Sequence, residues 1–305
     1  QQSNLTSYGV TTVAIITLEA FAGMWINAFI LGVLGIGWLK KKTLNSNEKI
    51  LLFLSIARIS DLCFSWTYSF LSFIYPKYLY IHPILQLALF FQAFFNHCNL
   101  WLSACLCVFY CIKIANFRNS FFIYLKVKID RMVPWLFLVS GILALAIGII
   151  AYNVADKPHC NNRNSTGQGN FGSANIKMDK HFFPSFFLTG FGYAASFTAV
   201  IFSAVFLLFS LWRHKCKMQT NSMKDLSMEA HIRAMKSILS FLVMYSINFV
   251  CLVLKMVYVT KKGSYMTFLI VVFQYTFPGL HSLTLIFSNP KLEKTLLKIL
   301  ALERC

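Results

Sequence analysis

The sequence predicts an all-α membrane protein: a seven-transmembrane helix bundle followed by a short amphipathic C-terminal helix. Three observations carry this. Of 305 residues, 57% are hydrophobic, 31 are Phe and only 12% are charged, whereas a soluble domain carries about 25% charged residues. The apolar residues gather in seven runs, near 10–38, 50–75, 84–112, 132–153, 182–212, 235–259 and 265–288. Each is long enough to cross about 30 Å of hydrocarbon at ~1.5 Å per helical residue. Hydrocarbon offers the backbone no hydrogen-bond partner, so such runs read as helices. Finally, the net charge of +18 sits in the gaps between runs and not on a soluble face. That excludes nucleic acid as the expected partner and makes the bilayer the solvent.

The gaps also orient the chain. Nineteen lysines and arginines follow runs one, three, five and seven, and only seven follow runs two, four and six. Excess Lys and Arg in short loops marks the cytoplasmic side. A multi-pass protein of the plasma membrane is expected, with its N-terminus extracellular and its C-terminus cytoplasmic. Two glycosylation sequons, at Asn4 and Asn164, fall on the expected outside. No cleavable leader pattern is read at the start. Of nine cysteines, six lie inside runs, and Cys160 is the only one in an outer loop. With no second exposed partner there, no disulfide is expected to tie that loop down.

Run one carries Glu19, Gly23 and Asn27 at spacings of four, hence on one face. A carboxylate at this depth belongs toward the bundle or the outer vestibule, and Asn27 suits a helix–helix hydrogen bond. Run two carries Arg58 and Asp61 three apart. They can pair with each other, as structural glue or as a switch element. Run three places Gln92, Asn96 and Asn99 on one stripe beside Phe91 and Phe95. That suits a pocket that orients a mostly apolar ligand, or interhelical glue. Trp101 reads as packing against a neighbour.

Run four follows Pro134 and has no ionisable residue, so it reads as packing. Residues 154–181 read as a long polar loop rich in Gly and Asn, a mobile, glycosylated lid or vestibule. Residues 213–231 read as a short basic inner loop. Run six carries Tyr245, Asn248 and Lys255 on a shared face. Lys255 can snorkel to the outer water or reach an anionic ligand. Run seven carries Gln274, then Pro278-Gly279, which should bend or loosen it. Residues 290–302 are amphipathic and basic, an interfacial helix on a cytoplasmic tail (residues 289–305) that follows a receptor-like domain of residues 1–288.

Several stretches carry a resemblance. Phe109-Tyr110-x-x-Lys113-Ile114-Ala115-Asn116-Phe117, at the inner end of run three, resembles the signature of the bitter taste receptors, the type 2 taste receptors, which are seven-helix G-protein-coupled receptors. Leu54-x-x-Ala57-Arg58-x-Ser60 resembles that family's second-helix motif. Gly23 with Asn27, Asn96-His97, Trp101-Leu102, Phe209 to His214, Ala230-His231, Lys236-Ser237, Tyr245, and Pro278-x-x-His281-Ser282 with Asn289-x-Lys291-Leu292 follow in order. The likeness runs along nearly the whole chain. Two positions depart from it: Ser196 stands where the family usually has proline, and Gln92 where many members have a tryptophan that floors the ligand pocket.

The resemblance implies a receptor and no enzyme. It implies that a small bitter organic agonist enters from outside and that a heterotrimeric G protein of the gustducin or Gi type exchanges nucleotide inside. A membrane lipid or sterol is a further partner it allows for. No cofactor is expected. The ligand contacts it implies are Tyr68, Ser69, Gln92, Asn96, Thr189, Tyr245, Asn248, Lys255, Val271 and Gln274. The G-protein rim would be Tyr110, Lys113, Arg213, His214 and Lys236, and a polar hub would join Asn27, Arg58 and Ser282. The rival class is a small-solute or ion transporter using Glu19, Arg58, Asp61 and Lys255, against which seven helices without an inverted repeat fit poorly. The seven histidines show no metal-ligand spacing, which argues against a metal-dependent membrane enzyme.

Overall fold

The computed structural model describes residues 2–75, 83–115, 120–162, 182–220, 225–258 and 265–302, with side chains at several helix ends outside the description. Eight helices follow one another among these residues: α1 (Gln2–Lys41), α2 (Ser46–Ile74), α3 (Ile84–Ile114), α4 (Ser120–Asn162), α5 (Phe182–Thr220), α6 (Asp225–Tyr258), α7 (Tyr265–Ser288) and α8 (Pro290–Leu302). There is no strand among them. The first seven each contain a segment long and apolar enough to cross a membrane. Large apolar side chains face outward: Trp25 is 82% exposed and Val127 75%. Such a periphery belongs in hydrocarbon.

The helices outrun the apolar runs. The α4 helix begins at Ser120, not after Pro134, because Ile129 and Val133 of the basic segment are almost fully buried in the core beside α2 and α3. It continues to Asn162, so the expected loop 154–181 starts later. The α5 helix continues past Arg213 to Thr220, and α6 already starts at Asp225. Most of the expected loop 213–231 is therefore helix. Residues 213–220 and 225–231 contain neither Gly nor Pro, and basic charge alone does not stop a helix.

Two caps organise the basic end of the bundle. The Asn45 backbone N–H donates to Glu48 Oε2 at 3.1 Å in a capping box that starts α2. Asn289 Oδ1 accepts from the Lys291 N–H at 3.0 Å and opens α8, with Pro290 in the first helical position. Lys291 Nζ then reaches Glu48 Oε1 at 2.5 Å, joining α8 to the start of α2. Beneath this lies an apolar core built on Ile30, Leu34, Leu54, Leu106, Phe109 and Leu285. A second core, around Leu100, Val200, Tyr245 and Phe277, joins α3, α5, α6 and α7 nearer mid-depth.

The α1 stripe packs on α7. Thr276 Oγ1 donates to Glu19 Oε1 at 2.9 Å, and Ser282 Oγ donates to Asn27 Oδ1 at 2.7 Å. Between these bonds Gly23 meets Gly279: a Cβ on Gly279 would stand 3.3 Å from the Gly23 Cα. Only residues without side chains allow two helix backbones to approach this closely.

Candidate functional site

The site is built around Arg58, whose relative exposure is zero. An intramembrane guanidinium has five N–H donors and needs partners inside the bundle. Arg58 Nε donates to Asn99 Oδ1 at 3.2 Å, Nη1 to Ser282 Oγ at 2.6 Å, and Nη2 to Ser103 Oγ at 3.3 Å. Nη2 also meets His281 Nδ1. The Ser282 hydroxyl in turn donates a hydrogen bond to Asn27 Oδ1, and the Asn27 amide donates to the Gly23 carbonyl at 2.8 Å. One side chain thus links α2, α3 and α7 directly and α1 through a hydroxyl. Asp61 is not among its hydrogen-bond partners, so the Arg58–Asp61 pairing considered from the sequence is replaced by this network.

Asp61 instead lines a cavity of about 360 Å³ between α2, α3, α6 and α7, counted with the part open to solvent. Asn96, Asn99, Leu100 and Ser103 come from α3, Tyr245, Asn248 and Leu252 from α6, and Gln274, Phe277 and Pro278 from α7. The α3 stripe is thus in part pocket and in part glue. Asn99 faces the cavity and is held by Arg58. Asn96 Oδ1 accepts from the Tyr193 hydroxyl at 3.4 Å. Pro278 has no N–H to return to the Gln274 carbonyl one turn back, which loosens the α7 ladder beside the cavity. Among the residues lining the cavity, Asp61 and Gln274 each hold a buried side-chain atom without a hydrogen-bond partner, Asp61 Oδ1 and Gln274 Nε2.

A second cavity of about 440 Å³ opens toward the basic end. Leu106, Cys107 and Tyr110 of α3, Leu207 of α5, Ile238 and Phe241 of α6, and His281, Thr284, Leu285 and Ser288 of α7 line it. His281 packs against the Phe241 ring, centroids 4.5 Å apart. Arg58 therefore bonds to walls of both cavities, Asn99 and Ser103 on one side and His281 on the other. Among the described residues no group of three His, Cys, Asp or Glu is arranged to hold a metal ion.

Of the ten ligand contacts expected, Asn96, Tyr245, Asn248 and Gln274 meet at the first cavity. Tyr245 is 1% exposed, and its hydroxyl donates to the Leu100 carbonyl at 3.4 Å. It is a packed wall. Gln92 Nε2 donates to Ser65 Oγ at 3.4 Å, and Ser69 shares a hydrogen bond with the Tyr275 hydroxyl at 2.9 Å. Val271 packs against the Ile16, Leu62 and Tyr275 cluster. Tyr68 and Thr189 are half-buried and Lys255 is exposed. None of these last six lines the cavity. Phe91 and Phe95, expected beside the pocket stripe, stack on Phe64 of α2 with centroids 4.8 and 5.3 Å apart, and hold α2 to α3.

At the basic end, Tyr110 lines the second cavity, Lys113 is paired with Asp130 of α4 at 2.5 Å, and Arg213 is exposed. His214 and Lys236 lie on α5 and α6, with side chains outside the described residues, as is that of Asn4 on α1. Asn164 lies outside the described residues altogether. Asp61, Ser103 and Phe277 were missing from the sequence-based cavity wall. The signal the sequence offers is a carboxylate at membrane depth, Asp61, which must face the bundle interior.

A polar cavity between spanning helices, joined by a buried arginine to a second cavity at a basic end, is an arrangement that a membrane receptor can use. Comparison with known proteins agrees: the family described as "Taste receptor protein (TAS2R)" matches residues 5–304. The chain is 32% identical to taste receptor type 2 member 7 of Macaca mulatta, covering 95% of this chain and 92% of that one. It is 29% identical to member 39 of Macaca mulatta, over 96% and 87%. It is 30% identical to member 40 of Gallus gallus, over 92% and 91%. The chain belongs to the type 2 taste receptor family, the bitter-taste G-protein-coupled receptors, and is a multi-pass membrane protein.

Proposed function

We propose that this receptor binds small bitter organic molecules in the cavity between α2, α3, α6 and α7 and activates a G protein of the gustducin or Gi type. The observation that carries the reading is the convergence of Asn96, Asn248 and Gln274 from three helices on one cavity whose wall also carries Leu100, Leu252, Phe277 and Pro278. Polar groups placed among apolar side chains orient a ligand. Tyr68, Ser69, Gln92, Thr189, Lys255 and Val271 form the approach above it. The basic end faces the cytoplasm and the opposite end the exterior of the plasma membrane, as the distribution of Lys and Arg supports. Asn4 and Asn164 then lie outside as glycosylation acceptors, and residues 289–305 form the cytoplasmic tail.

The second cavity, with Tyr110 on its wall and Lys113, Arg213, His214 and Lys236 around it, receives the G protein. Its basic rim suits an acidic, carboxylate-terminated Gα segment. Agonist efficacy is differential affinity for two arrangements of the bundle, with lipid or sterol at the periphery as a modulator. The test is nucleotide exchange on purified Gi-type heterotrimer in membranes with and without this chain, challenged with a panel of bitter compounds. Agonist-dependent exchange that Asn248→Ala weakens supports the reading. Exchange that no compound stimulates, or ion flux tracking Glu19 and Asp61 variants, overturns it in favour of transport.

A further inference from the structure

We propose that Asp61 sets the ligand specificity of the first cavity, acting opposite Gln274 to select neutral amide-like groups: lactams, carboxamides and ureas. This rests on the cavity being the ligand site. Asp61 is 7% exposed, and its Oδ1 is buried without a partner. Gln274 Nε2, on the facing helix, is likewise buried without a partner. Both residues line the one cavity. An unpaired acceptor and an unpaired donor therefore belong to residues that line a single cavity, and each is costly to leave unpaired.

Water can occupy such a site when no ligand is bound, since the space exceeds what one molecule needs. A ligand that expels this water must reproduce its bonds or lose affinity. An N–H beside a C=O does so with two adjacent atoms: the N–H donates to Asp61 Oδ1, and the carbonyl accepts from Gln274 Nε2. An ester or ether of the same shape presents only acceptors and leaves Asp61 facing a lone pair. Sites built around a donor's partner reject the analogue that lacks the donor far more strongly than apolar pockets reject a missing methylene.

Charge explains why the N–H should be neutral. Burial disfavours charge around Asp61, the Arg58 guanidinium one turn away on α2 is already buried there, and Asn99 and Ser65 stand within hydrogen-bonding reach of the carboxyl. A protonated amine seated beside Asp61 would lose its hydration and also meet the buried Arg58 guanidinium repulsively. The field rewards a strong neutral donor that adds no charge.

The test uses the full chain in cells, read by calcium release through a promiscuous G protein. The probes are 2-quinolone, which carries an N–H beside its carbonyl; coumarin, its lactone counterpart; N-methyl-2-quinolone, with the donor blocked; and tetrahydroisoquinoline, protonated at neutral pH. Matched lactam–lactone and amide–ester pairs of other sizes extend the set. The N–H members are expected to be at least about tenfold more potent than their partners, with the protonated amine silent. Gln274→Met should weaken lactam and lactone alike. Asp61→Ala should remove only the lactam's advantage.

Surface amount is measured for both variants, because Asp61→Ala also strips a partner from Asn99 and Ser65. If it does not reach the surface, the lactam–lactone ratio in the parent and in Gln274→Met still decides. Equal potency of donor and donor-blocked members overturns the proposal. So does silence of every N–H member while other agonists act, or preference for the charged amine. Agonists that respond to Asn248→Ala but show no N–H preference sink this inference alone. Agonists indifferent to Asn248→Ala sink the cavity assignment itself.

Discussion

Arg58 Nη1 donates to Ser282 Oγ at 2.6 Å, a bond between α2 and α7 made entirely within the bundle. The same hydroxyl donates to Asn27. Ser282→Ala removes both functions at nearly constant volume. It should cost about 1–3 kcal/mol, the penalty for leaving a buried donor and acceptor unpaired. Arg58→Ala should cost at least as much, because Asn99, Ser103 and His281 lose their partner as well. Thermal unfolding of the purified receptor in micelles checks the stability. Signalling assays check the function, since both variants should also change basal and agonist-driven exchange. Normal surface levels with unchanged signalling would refute the hub.

A side chain at Gly279 crowds the α1 backbone, its Cβ standing 3.3 Å from the Gly23 Cα. Gly279→Val would drive its Cβ against the Gly23 backbone, which has no flexible tip to yield. Overpacking of this kind costs about 1–3 kcal/mol. Gly23→Ala meets mainly the Leu62 Cδ1, the end of a side chain that can rotate. Unfolding temperatures should therefore fall further for the Gly279 variant than for the Gly23 variant, and the reverse order would show that α1 and α7 are not held in contact here.

Asn248→Ala should raise half-maximal agonist concentrations by about 5- to 30-fold with expression intact, the scale of one lost ligand hydrogen bond in a buried site. Gln92→Ala should do the same more weakly, because Gln92 is engaged with Ser65 outside the cavity. Lys255→Ala should matter chiefly for acidic agonists, because an ammonium near low-dielectric walls attracts anions. Dose–response curves with surface quantification check all three.

Lys113→Glu should abolish or strongly weaken G-protein coupling while changing the unfolding temperature little. Lys113 and Asp130 are each 45% exposed, and ion pairs in such settings contribute only about 0–1 kcal/mol. The charge reversal is therefore read out at the basic rim and not in the core. Coupling equal to the parent would remove Lys113 from the interface.

Spacing in the sequence reports which residues share a face, and that much was legible. Glu19, Gly23 and Asn27 sit on one face of α1, and that face packs on α7. What spacing does not contain is the partner. Thr276 and Ser282 lie 257 and 255 positions away from Glu19 and Asn27; no local pattern names them, and Ser282 enters the expected hub only through the family resemblance. Arg58 and Asp61 show the same limit from the other side. Three residues apart, they read as a pair, but the hydroxyls and amides of α3 and α7 take the guanidinium and leave the carboxylate to the cavity. Helix ends were misjudged for a different reason. A charged stretch such as 213–220 reads as a loop because it is polar, whereas helices end at breakers, and that stretch has neither Gly nor Pro.

The long reach of the Arg58 network also sets an order of events during synthesis. Asn99 and Ser103, the earliest partners, are made 41 and 45 residues after Arg58, but Ser282 arrives only 224 residues later. Until α7 enters the bilayer the guanidinium is half satisfied, and an arginine near mid-membrane costs about 2.5–3.5 kcal/mol on insertion scales. The last spanning helix therefore acts as the closing key of assembly. A chain that stops short of it carries an exposed charge within the membrane, a clear mark by which quality control can tell an unfinished receptor from a finished one.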